Sequence, residues 1–332
     1  MTRYERGFTL VELLVAACIT LLVTAAIVAA ARPAEHVFLT QSEAADELQR
    51  SRVATSALFR DLVMAGAGPD AGPDAGSLAR AFAPILPWHQ GRTGGDQAGV
   101  FRDDAITLSY VPSSRAQTTI ASPMPAQSGI VRVNTGAGCP LSDAACGFSQ
   151  ATTVLAYDDT GSADTFRVEN VVDSVLELRH TSADSLKVYP VGSRLVQAIV
   201  RSYFLEADEA SDQVQLVRDD GTGGPSVAIV DHVVGLKFEY FGEPDGSAVL
   251  SPAILTDGPW RPDDSAPNRF DVDLLRIRAV TVLVRVESAM AALRGPAGPL
   301  FSRAGTSRSG NRFLPDHEIR FLVSPRNMGV AR

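Results

Sequence analysis

Hydrophobic and polar positions along this chain change their rhythm twice. An uncharged apolar run extends from Leu13 to Ala31, long enough to cross a bilayer as one helix. Arg32-Pro33 follows, and then a polar stretch in which Val37, Ala44, Leu48, Phe59 and Leu62 recur at helical spacings. Glu43, Asp46, Glu47, Arg50, Arg52, Arg60 and Asp61 fill the remaining positions, so the expected apolar face is narrow and the rest is solvated. The pattern predicts one long helix from Phe8 to Met64, membrane-embedded first and amphipathic later, with Pro33 kinking or locally melting it. Gly66, Gly68 and Pro69 end it.

Past residue 70 the helical period fades and a period of two takes over. A repeat, Gly68-Pro69-Asp70-Ala71 then Gly72-Pro73-Asp74-Ala75, cannot build a core and reads as a loop. Ile106, Leu108 and Tyr110 alternate with polar residues, and Val188 to Val191, Leu195 to Phe204 and Val214 to Val217 do the same. In Val233 to Phe241, Leu236, Phe238 and Tyr240 share a face. Leu274 to Val286 is the longest run, and Ile319 to Val323 closes the sheet. The fold class expected is α+β, a long N-terminal helix packed on a large antiparallel sheet whose face it covers. The divisions expected are residues 1–7, a leader; 8–64, the helix with its span at about 13–31; and 65–332, the β-rich domain.

The junction before the span is unusual. Arg6-Gly7-Phe8-Thr9-Leu10-Val11-Glu12 puts a carboxylate at the mouth of an apolar segment. A charge there is costly, roughly 2.5–3.5 kcal/mol at mid-membrane and less near the interface, so it needs a partner. A cut after Gly7 would give Phe8 a new α-amino group. Phe8 and Glu12 are four apart and share a helical face at about 6 Å along the axis. The amine and the carboxylate can then pair within a chain, or between two chains side by side.

These residues resemble the N-terminal signal of the type IV pilin family, which also includes the type II secretion pseudopilins. The resemblance implies that a prepilin peptidase cuts between Gly7 and Phe8, that the same enzyme N-methylates Phe8, and that Glu12 pairs with a neighbouring subunit's amine during assembly. The strand ending Phe238-Glu239-Tyr240-Phe241-Gly242, the later Val- and Arg-rich strand and the terminal Val323-Ser324-Pro325-Arg326-Asn327 are similar to PilW-like minor pilins. Such a protein has a type IV pilin-like fold. It sits as a single-pass protein in the inner membrane, N-terminus cytoplasmic and C-terminal domain periplasmic, before it joins the pilus at the cell surface. Its partners are the prepilin peptidase/methylase, other major and minor pilins and the inner-membrane assembly platform, and its roles are priming assembly near the tip and cell adhesion. The family's major pilins carry a proline earlier in the helix, whereas here the first is Pro33.

Other readings of the same residues are a plain signal anchor and a conventional signal peptide cut near Ala29-Ala30-Ala31. The apolar core is longer than the ~7–15 residues usual for the latter. Arg3 and Arg6 before the span place the N-terminus in the cytoplasm by the positive-inside tendency. Two different functional alternatives are a J-like pseudopilin of type II secretion and a membrane-anchored periplasmic binding protein or hydrolase without a filament role.

Composition narrows the chemistry. A net charge of −8 argues against a general nucleic-acid binder. Of the three cysteines, Cys18 lies in the span, while Cys139 and Cys146 flank a short loop with no further ligands at zinc-like spacing. A Cys139–Cys146 disulfide suits an oxidising periplasm, and two reduced core thiols are the alternative. No Gly-x-Ser-x-Gly, His-Glu-x-x-His or phosphate loop is present. Gly66-Ala67-Gly68-Pro69-Asp70-Ala71 fits a dinucleotide fingerprint only formally, because it follows a helix and contains a proline. His36, His89, His180, His232 and His317 are scattered singly. Asp257, Asp263, Asp264, Asp271 and Asp273 carry oxygen ligands of the kind Ca²⁺ takes, but their spacing fits no known loop and a solvated acidic loop is favoured. Trp88 and Trp260 sit in Pro-rich loops, as core lids or partner contacts. Binding rather than catalysis is therefore expected, with no cofactor and no metal.

Overall fold

A single α-helix, α1, runs unbroken from Leu10 to Met64. The computed structural model describes residues 8–70, 75–88, 104–113, 116–126, 129–136, 139, 144–160, 163–181, 187–208, 213–242, 253–254, 274–275, 277–307 and 313–328, with the backbone alone at 31–36, 88 and 253–254. Helical backbone continues across Pro33, so the local melting expected there does not occur. One lost hydrogen bond is tolerated when the turns on both sides carry on the ladder. The helix stops where the glycines predict: Gly66 takes a left-handed φ of 79°, which costs glycine nothing.

The chain divides into two compact units, and the boundary falls inside the helix between Leu48 and Gln49. One unit combines residues 1–48 with 288–315. Within it the Ala289 N–H donates to Glu43 Oε1 at 2.6 Å, next to a short 3₁₀ turn at Ala291–Leu293. Glu43, placed by the sequence on the solvated face, is thus buried.

The other unit holds Gln49–Glu287 and Asp316–Arg332 and contains every sheet formed by the described residues. Its stretch of helix buries Ser51, Ala54, Leu58, Asp61 and Leu62, with Ala65 buried just past its end, a face at spacings of three and four. This corrects the expected apolar face. Leu62 belongs to it, whereas Val37, Leu48 and Phe59 are exposed at 55%, 44% and 49%. The buried face alternates small residues, Ser51 and Ala54, with the bulky Leu58 and Leu62. Leu58 and Leu62, both fully buried, contribute roughly 1.5–3 kcal/mol each.

Among the described residues three antiparallel sheets replace the single sheet expected. The five-stranded sheet orders Ile85–Trp88, Ala105–Tyr110, Ile199–Asp208, Gln213–Asp219 and Val227–Asp231. A four-stranded sheet orders Ala253–Ile254, Val233–Gly242, Ile277–Val286 and His317–Val323. Both share one core with the helix: Leu58 and Leu62 cluster with Ile106, Leu108 and Tyr203 of the first sheet and with Leu236, Phe238 and Val282 of the second. Asp104 links them, because its Oδ2 accepts from the Phe238 N–H at 3.0 Å while its own N–H donates to Leu236 O at 3.0 Å.

The six-stranded sheet orders Gln117–Thr119, Arg194–Gln197, Thr153–Tyr157, Ala163–Val172, Val175–His180 and Ile130–Arg132. Its two outermost strands meet: Ala121 N donates to Arg132 O at 2.8 Å and Asn134 N to Thr119 O at 2.9 Å. The sheet therefore closes on itself as a small barrel without free edges, filled by Phe166, Leu176, Leu178 and Tyr189 among others. In sequence the barrel lies between Ala105–Tyr110 and Ile199–Asp208, which pair directly with each other. It is an insertion into a hairpin of the five-stranded sheet.

Two strand expectations are corrected here. Val188 to Val191 forms no strand, and only Tyr189 bridges, to Met124. The run Leu195 to Phe204 is two strands, one in the barrel and one in the five-stranded sheet, separated at Ala198.

Candidate functional site

The sequence around the start of the helix builds a capping box. Thr9 precedes the first helical residue, and its hydroxyl accepts from the Glu12 N–H at 3.2 Å. Glu12 reaches back so that its Oε2 accepts from the Thr9 N–H and from Thr9 Oγ1, both at 2.9 Å. Two backbone donors that the helix leaves without partners are thereby satisfied. Glu12 is thus held at the helix N-terminus, beside Phe8, which is 86% exposed. Gly7 lies outside the described residues.

Behind this cap, Leu10–Ala30 is a 21-residue stretch with mean hydropathy 2.7, none of it buried. At 1.5 Å per residue it is about 32 Å long, enough for the ~30 Å hydrocarbon core of a bilayer. Thr20 and Thr24 do not interrupt it, because their hydroxyls donate to the carbonyls of Ala16 and Thr20. Such a surface demands an apolar surround, either lipid or other helices.

Residues 2–28 match the prokaryotic N-terminal methylation motif. The match covers the basic leader, the Gly7–Phe8 junction, Glu12 and most of the apolar span. A comparison with curated proteins found no match. The motif marks the chain as a type IV pilin-like or pseudopilin-type substrate of a prepilin peptidase. Together, motif and apolar helix indicate single-pass membrane anchoring.

The disulfide is present: Cys139 and Cys146 are joined, with their Cα atoms 5.2 Å apart. It packs into the barrel core, where Cys146 is fully buried beside Phe148. The acidic positions Asp257, Asp263, Asp264, Asp271 and Asp273 lie outside the described residues, as do His89, Trp260 and positions 71–74 of the repeat. Among the described residues no three His, Cys, Asp or Glu side chains gather as a metal site.

One cluster escaped sequence reasoning altogether. Asp61, 1% exposed on the helix, accepts from Tyr203 Oη at 2.6 Å, Tyr110 Oη at 2.9 Å and Arg201 Nη1 at 2.8 Å. Arg201 Nε donates onward to Asp220 Oδ1 at 3.0 Å, and Arg218 Nη2 donates to Asp220 Oδ2 at 3.0 Å. Burial, reinforced by the Asp61 charge, pushes the Tyr110 phenol up to about 12. The same two causes raise Tyr203. Burial is the largest influence on Arg201 and works against its charge, yet the hydrogen bond and charge of Asp61 together with Tyr110 and Asp220 hold its pKa above the usual value. Both phenols therefore remain protonated donors at neutral pH, and the cluster clamps helix to sheet. An aspartate at helical spacing among other charged residues carries no signal that separates it from a solvated one.

Proposed function

We propose that this chain is a PilW-like minor pilin of a type IV pilus. Prepilin peptidase cuts between Gly7 and Phe8 and the new N-terminus is methylated. The span holds the subunit in the inner membrane with its β-rich part in the periplasm. The assembly platform then moves it into the filament, where it meets other pilins near the tip and primes assembly. Its activity is binding, not turnover.

The observation that carries this reading is the capping-box geometry of Glu12 inside a matched methylation motif. Both Thr9 contacts use Oε2, so Oε1 points to no donor among the described residues and is available to a neighbouring subunit's amine. The helix cap fixes the carboxylate in place before assembly, which lowers the entropy lost on pairing. The apolar helix then supplies the driving force, by leaving lipid only for a surface of other apolar helices. A disulfide in the barrel agrees with export to an oxidising compartment.

Filament entry tests the reading. Glu12→Ala makes the span more apolar and should insert as well as the parent chain, yet be depleted from sheared pili. Equal recovery of the two would remove Glu12 from the mechanism. Deletion of the gene separates the pilus from the pseudopilin alternative: loss of pili supports the proposal, and loss of protein secretion with intact pili overturns it.

A further inference from the structure

Beside the Asp61 clamp, the helix and the five-stranded sheet leave an open groove of about 490 Å³. Arg52, Arg60, Arg201 and Arg218 line it, and Val53 and Ile229 supply its apolar part. A second depression continues from it along the edge strand Val227–Asp231 and shares Gln49, Val53 and Ile229. Four arginines along one groove are conspicuous in a chain with a net charge of −8.

The carboxylates nearby do not neutralise them all. Asp61 is buried under two phenols and one guanidinium, Asp220 is shared by Arg201 and Arg218, and Asp231 pairs with Arg50 at 3.2 Å. Arg52 and Arg60 are exposed and make no ion pair among the described residues. The groove therefore carries two uncommitted guanidiniums, set into a wall whose other charges are already matched. Guanidinium pairs of this kind favour carboxylates, which they grip with two parallel hydrogen bonds.

Spacing narrows the partner. Arg52, Ser56 and Arg60 follow one another at intervals of four on the helix, so the two guanidiniums stem from points about 12 Å apart along its axis. In an extended chain, residues four apart lie on one face and are separated by about 13 Å. Between them, on the same face, falls one further side chain, level with Ser56, in a groove whose apolar lining is Val53 and Ile229.

We propose that this groove docks an extended acidic segment of a partner protein, with carboxylates at positions i and i+4 and an apolar side chain at i+2. Charge complementarity supplies orientation and encounter rate, while the apolar contact supplies the slower dissociation. The inference does not depend on the reading of the N-terminus, because the groove is the same whether or not the leader is cut.

The test uses the full chain in a non-ionic detergent and a fluorescent peptide repeating Glu-Thr-Leu-Thr-Glu. The peptide should bind and weaken as salt is raised. The double substitution Arg52→Glu/Arg60→Glu should weaken it about tenfold or more, whereas Arg132→Glu on the barrel surface should not change it. Unchanged circular dichroism of the double variant would show that it still folds. Three results would overturn the proposal. They are no binding, equal weakening by Arg132→Glu, or equal binding of a peptide with Lys in place of Glu. Phosphatidylglycerol added as mixed micelles with the same detergent should leave the peptide bound; if it displaces the peptide from the groove, the site is for anionic lipid and the proposal fails.

Discussion

Tyr203 in the strand Ile199–Asp208 donates a 2.6 Å hydrogen bond to Asp61 on the helix, 142 positions earlier in the chain. With Tyr110 and Arg201 it fixes both the rotation of the helix and its position along the sheet. Removing the carboxylate takes the strongest acceptor from both phenols and from Arg201, leaving the longer contacts of Tyr203 Oη with Ala57 O at 3.4 Å and of Arg201 Nη1 with Tyr110 Oη at 3.3 Å. Asp61→Ala should therefore lower the unfolding free energy by about 2–4 kcal/mol. Chemical denaturation of the full chain measures this, and a loss below about 0.5 kcal/mol would mean that the clamp does not hold the helix.

The same cluster gives stability an alkaline limit. The folded state keeps the Tyr110 phenol protonated up to about 12, above its unfolded value near 10. A raised pKa contributes stability that is complete below the unfolded value and disappears as pH rises through the folded one. Tyr203, Tyr189 and Tyr240 are raised as well, and they act in the same direction. Unfolding free energy should thus fall between about pH 10 and about pH 12. A flat profile across that window would contradict the burial of these phenols.

The Cys139–Cys146 bond closes a short loop in the barrel. Replacing both cysteines by serine should cost about 2–3 kcal/mol, with the earliest proteolytic cuts inside residues 116–197. In the exported, unreduced chain only Cys18 should react with an alkylating reagent after denaturation. Three alkylated cysteines would show that the bond does not form.

How much of this was readable from sequence depends on the range of the interactions. The helix was legible because its signals are local: an uncharged run, then charged residues, then Gly66. Its buried face was not, since Glu43 and Asp61 go inside only because the Ala289 amide, two tyrosines and Arg201 arrive from far along the chain. Strands with a strong apolar face, such as Val233–Gly242 and Ile277–Val286, were legible too. The barrel was not. Ala163–Val172 alternates Phe166 and Val168 with Arg167 and Glu169, and so looks polar until the closed sheet buries one side. Nothing local marks Ala198 as the point where one apparent strand changes sheets. The N-terminal methylation motif was legible because it is a short linear signal, carried by neighbouring residues alone.

Processing should depend on the small residue before the cut, which the peptidase has to fit into a restricted pocket. Gly7→Leu should leave a full-length precursor in the membrane fraction, seen as an unshortened band. Normal cleavage of that variant would count against the Gly7–Phe8 junction.

The mass and N-terminal sequence of the chain, isolated from the membranes of the cell that makes it, test the central claim most directly. The account predicts a chain lacking Met1 to Gly7 and beginning with N-methylated Phe8. An intact Met1, or a start beyond Ala31, would contradict it.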